Sequence, residues 1–86
     1  MNLLERVDRY ISKVENALKS IEGQDYRLNL DCAKVAYVID LARMYAEDAK
    51  YFRKKGDLET ALAAISYSEG LLDALRLIGV VSFEWV

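Results

Sequence analysis

The chain has 86 residues, a hydrophobic fraction of 53%, and 12 basic against 14 acidic side chains for a formal net charge of −2. One small domain fits that length, because two cores would each fall near the ~40-residue limit below which metals or disulfides are needed, and so much apolar material excludes a disordered chain. With no histidine, no proline and one cysteine, the chain lacks the usual general base, the commonest metal ligand and any disulfide pair, and its balanced charge offers no broad cationic field to a phosphate backbone.

Leu3, Leu4, Val7, Tyr10, Ile11, Val14, Ala17, Leu18 and Ile21 recur at steps of three and four, which predicts a first helix over 2–22 with one apolar stripe. Its far face carries Glu5, Arg9, Glu15 and Lys19, ordered for i, i+4 ion pairs. Gly23 is the expected stop. In the connection that follows, Tyr26, Leu28 and Leu30 alternate with polar residues and are expected to turn inward across the end of a bundle. Asp31 can cap a second helix over 32–55, with a stripe of Val35, Val38, Ile39, Ala42, Tyr45, Ala46, Ala49 and Phe52. Arg53, Lys54 and Lys55 fall in its last turn, where the helix dipole favours cations.

Gly56 and Asp57 leave almost no linker, so a third helix over 58–78 must run antiparallel to the second. Its stripe is Ala61, Ala64, Ile65, Ser68, Leu71, Leu72, Leu75 and Ile78, ended by Gly79. The expected fold is all-α, a single domain over 1–86 built as an antiparallel up-and-down three-helix bundle that buries Val14, Ile39, Phe52, Ile65 and Leu72. Residues 80–86 change period, with Val81, Phe83 and Trp85 against Ser82 and Glu84, and read as a short extended tail lying in a groove or on a partner.

Two surfaces exceed what a three-helix core needs. Tyr37, Leu41, Met44 and Tyr51 widen the apolar arc of the second helix beyond its stripe. On the third, Ser66, Gly70 and Ala74 recur every four residues beside Ala63, Tyr67 and Leu77, and a mid-helix glycine suggests something approaching the backbone closely. Either the tail or the Tyr26 connection covers these surfaces, or they meet a protein partner or a second copy, with Phe83 and Trp85 as further anchors.

Other constellations read as ordinary surface. Asp40, Glu47, Glu69 and Asp73 could gather a divalent cation, but Asp40 has Arg43 and Asp73 has Arg76 one turn on. Lys50, Arg53, Lys54 and Lys55 beside Tyr51 could hold phosphates and stack a base, yet the helix dipole explains terminal cations without a ligand. Cys32 opens a helix, where a thiol can acidify, but has no histidine to work with and is expected to be a partly buried small side chain. No catalytic residue, cofactor or metal is expected. Residues 1–7 lack the cationic and apolar regions of a signal peptide and no apolar run approaches the ~20 residues of a membrane span, so no membrane is expected and the cytoplasm is the expected compartment.

Tyr45, Ala46, Asp48, Ala49, Tyr51 and Phe52, then Gly56, Asp57 and Ala61 to Ala64, then Ser66, Tyr67 and Glu69 to Ala74, form a run that resembles an archaeal family known as domain of unknown function 357. The resemblance is close over the last half of the chain and extends to the first helix in general pattern. It implies a short three-helix bundle with a left-handed twist, brings no established activity, and carries over no catalytic residue. The function expected from residues and resemblance together is a non-catalytic protein-interaction or oligomerisation module, with an unknown protein or a homodimer as partner. The alternatives are a divalent-metal-dependent phosphohydrolase using the four carboxylates and a nucleic-acid-binding accessory domain, the latter disfavoured by charge.

Overall fold

In the computed structural model of the chain, residues 2–25 and 30–85 are described. They form an all-α structure of three helices, α1 (Leu3–Ile21), α2 (Cys32–Lys54) and α3 (Leu58–Leu77), with no strand among the described residues. Each helix opens on a side chain that accepts from a first-turn amide: Asn2 from Glu5, Asp31 from Lys34 and Asp57 from Thr60, at 2.8, 2.7 and 3.2 Å. Such a cap satisfies one of the four free amides of a helix start and contributes about 1 kcal/mol.

The link between α2 and α3 is the tightest piece of local structure. Gly56 has φ +82°, a left-handed conformation that side chains disfavour. Its amide donates to the Arg53 carbonyl at 3.1 Å, and the Asp57 amide donates to the Phe52 carbonyl at 2.9 Å, so the last carbonyls of α2 are satisfied in a Schellman motif. Asp57 therefore ends one helix with its backbone and starts the next with its side chain. Only an antiparallel hairpin can follow from so short a link.

That hairpin holds the core. Ala42 and Ala49 on α2, one heptad apart, are buried, as are Ser68 and Leu75 on α3, also one heptad apart. Small side chains let the two backbones approach, and the Ser68 hydroxyl donates to the Ala42 carbonyl at 2.7 Å across the seam. Ser68 is 3% exposed, and this bond is what makes its burial tolerable. Anchored there, the antiparallel register sets Ala49 level with Ala61 and Val35 level with Leu75.

Helix α1 takes no part in that core. It contacts neither α2 nor α3, and none of its residues is buried. Val14, expected inside, is 58% exposed, whereas Ile39, Phe52, Ile65 and Leu72 are half-buried as members of the hairpin. A three-residue link joins α2 to α3, while ten residues, 26–29 of them outside those described, separate α1 from α2. The radius of gyration, 15.8 Å, exceeds the roughly 12 Å of a closed domain of this length. The accessible surface of 7622 Å² likewise exceeds the roughly 5,200 Å² of a closed monomer of this mass.

The end of α1 is a type II turn: Glu22 is extended, Gly23 has φ +79°, and the Gln24 amide donates to the Ile21 carbonyl at 3.2 Å. The expectation for Tyr26 and Leu28 lies outside the described residues. Leu30 is exposed at the rim of an apolar notch that it lines with Val35, Ile39 and Val80. The tail is irregular rather than strand-like and returns along α3.

Candidate interaction surface

Three apolar regions face outward, and helical geometry explains each. On α2, Tyr37, Met44 and Tyr51 are spaced by sevens and fall on the side opposite Ala42 and Ala49, so no packing against α3 can reach them. All three are exposed, Met44 at 63%. Leu41, between that stripe and the seam, is half-buried. The Tyr51 ring lies edge-on to Phe52 at 5.2 Å, with the Lys55 ammonium 5.0 Å from its centre. Tyr67 on α3 is turned to Tyr45 on α2, their rings 4.5 Å apart along one side of the hairpin.

The Ser66, Gly70, Ala74 row lies open along α3. These residues are exposed with Ala63 and Leu77, and a methyl group built on Gly70 would meet nothing within 4 Å. No backbone of the chain's described residues approaches there. The tail is the nearest neighbour: Trp85 borders a shallow depression with Ser66, Glu69, Gly70 and Asp73. Its indole N–H donates to Asp73 Oδ1 at 3.2 Å, and its ring meets Phe83 edge-on at 4.8 Å. Arg76 donates to the same oxygen from Nε at 3.1 Å and Nη2 at 2.7 Å, with its guanidinium 6.0 Å from the Phe83 ring. The Arg76 bond first, then the Trp85 bond, hold the Asp73 carboxyl below the usual carboxylate range. Phe83 and Trp85 thus pack on their own α3.

The third region was assigned to the core by sequence. On α1, Leu4, Val7, Ile11, Val14, Leu18 and Ile21 alternate steps of three and four and all are exposed. Tyr10 widens the stripe on one edge. Beyond it, Arg6 and Lys13 border the Tyr10 edge, and Asp8, Glu15 and Lys19 the Ile11 edge. The pairs Glu5/Arg9 and Glu15/Lys19 are not closed; Glu5 is engaged by Asn2 instead.

The polar constellations have local partners. Asp40 holds Arg43 at 2.6 Å, Glu47 holds Lys50 at 3.1 Å, and Asp73 holds Arg76, each one turn along its own helix. Among the described residues no group of three or more acidic, cysteine or histidine side chains is placed to hold a metal. Glu47, Lys50, Tyr51, Arg53 and Lys54 line only a shallow surface depression. Cys32 is exposed, not partly buried, because the first turn of α2 projects beyond the seam. No helix of the described residues is long and apolar enough to cross a membrane.

No curated protein and no solved structure matches the chain. The family model described as a protein of unknown function (DUF357) matches residues 9–81, most of α1, all of α2 and α3, and the start of the tail. A match over that span makes the chain a member of the DUF357 family.

Proposed function

We propose that the chain is a non-catalytic interaction module that works by burying helical apolar surface against another polypeptide. The observation that carries this reading is the α1 stripe, six large apolar residues in heptad order on a capped helix, all of them exposed among the described residues. An isolated helix of 19 residues is marginal in water, so such a helix draws its stability from what it packs on. The Tyr37, Met44, Tyr51 stripe supports the same reading, since tyrosine and methionine are favoured at protein interfaces. Catalysis has less to stand on, because three of the four acidic residues, Asp40, Glu47 and Asp73, are paired with cations one turn away and the chain has no histidine.

Sedimentation equilibrium up to high micromolar concentration tests the reading. The wild type is expected to exceed its monomer mass of 9.8 kDa, and Val14→Asp, which places a charge at the centre of the stripe, is expected to return it to monomer. A wild-type monomer across that range would overturn the proposal.

A further inference from the structure

The α2–α3 hairpin is tied at one end by the Gly56–Asp57 link. At the other end, where Val35 stands level with Leu75, the first turns of α2 meet the last turns of α3 with no short link between them. Two helices joined at one end fray from the other, because terminal turns have fewer backbone bonds and fewer neighbours than turns beside the link. Residues 78–85 reach this open end from α3.

The tail leaves α3 in a fixed direction. Gly79 has φ +79°, its amide donates to the Arg76 carbonyl at 3.0 Å, and the Val80 amide donates to the Leu75 carbonyl at 3.0 Å, a second Schellman motif. That turn brings Val80 to α2, where it lines the apolar notch with Leu30, Cys32, Val35 and Ile39. Val80 and Val81 are half-buried. The chain then folds back, and three N–H groups converge on Asp73 Oδ1, two from Arg76 and one from the Trp85 indole. The indole bond is the longest of the three, 3.2 Å against 3.1 and 2.7 Å. The tail is thus held at two points, an apolar one at Val80 and a polar and aromatic one at Phe83 and Trp85.

We infer that residues 80–85 are a clasp that shuts the open end of the hairpin, with Val80 bridging the two helices and the Asp73, Arg76, Trp85 cluster as the catch that keeps the segment folded back. Leu30 lines the same notch just before the Asp31 cap of α2, so the clasp also holds the point at which the connection from α1 joins the hairpin. The catch is the weaker hold: Trp85 is 51% exposed, and its bond shares an acceptor oxygen with the Arg76 guanidinium. The inference is independent of what covers α1.

Amide exchange read residue by residue separates a clasp from ordinary core packing. Val80→Ala is expected to speed exchange about ten-fold at residues 34–39 and 74–78, while amides beside the link, 49–52 and 61–65, change less than about two-fold. The reporters include the Lys34 and Val35 amides, which bond Asp31. Acceleration of equal size at both ends would show the tail to be one more part of a single cooperative core, and no acceleration at the open end would show that it holds nothing there; either result overturns the inference. Should Val80→Ala fail to fold, Trp85→Phe decides, since it keeps an aromatic ring and removes only the N–H. A smaller acceleration, roughly two- to five-fold and confined to the same two segments, is expected of it. Acceleration that spreads to the link, or none at all, would overturn the clasp.

Discussion

Helix α1 and the α2–α3 hairpin teach opposite lessons about amphipathic patterns. The α1 stripe is the cleanest in the chain, with steps of three and four held for five intervals and charges confined to its edges and back. It nonetheless buries nothing. The helices of the hairpin are less tidy, with tyrosines and methionine on the far side of α2 and a glycine in the middle of α3, yet they contain every buried residue among those described. A stripe states what a helix needs covered. Which surface covers it is a matter of linkage, and here the Gly56–Asp57 link settles it for α2 and α3.

The hairpin side of this contrast is broken most directly by Leu75→Ala. Leu75 is 6% exposed, and removing its side chain from the seam is expected to cost about 2–5 kcal/mol. Urea unfolding followed by far-UV dichroism checks this; a midpoint equal to wild type would show that the seam is not where the stability lies.

Gly70→Ala sharpens the comparison in the other direction. With ordinary helical φ and open space around its missing methyl, this position is expected to gain up to about 1 kcal/mol from helix propensity. A loss of stability would reveal a close neighbour at the Ser66, Gly70, Ala74 row and move the interaction surface there.

The smallest effect concerns the tail. Because Asp73 is held below its usual value in the folded chain, it binds protons less readily there than when unfolded. Its contribution is therefore present above the usual carboxylate range near ~3.9 and lost as pH falls through the lowered folded value. Trp85 fluorescence is expected to shift towards that of a water-exposed indole below about pH 4, and Asp73→Asn to blunt the transition. An identical transition in Asp73→Asn would break the link between this carboxylate and the tail.

Much of the fold was legible because local chemistry decided it. Asn2, Asp31 and Asp57 are caps whose short side chains reach a nearby amide, and Gly56 fits a left-handed link. Ser68 belonged to the predicted stripe, and its bond to Ala42 explains how a hydroxyl sits there. Other features were not legible, for separate reasons. Gly70 suggests a close approach because glycine costs helix stability, and within the chain nothing described comes within 4 Å of its missing methyl, so what approaches it is not encoded locally. The return of Trp85 to Asp73 depends on how residues 78–82 turn, which periodicity does not encode. The α1 stripe gave the helix, while Val14, expected inside, is exposed, because periodicity states which face is apolar and not what covers it.

The proposed interaction module requires the α1 stripe to be covered by another polypeptide, a second copy included, while α2 and α3 cover each other. Amide hydrogen exchange, measured helix by helix across a hundred-fold range of protein concentration, tests it most directly. Protection of α1 is expected to rise with concentration and to be lost on dilution before that of the Ala42–Ala49 and Ser68–Leu75 segments. Protection of α1 that equals the hairpin's and does not change with concentration would contradict the claim, and would place the helix on its own chain.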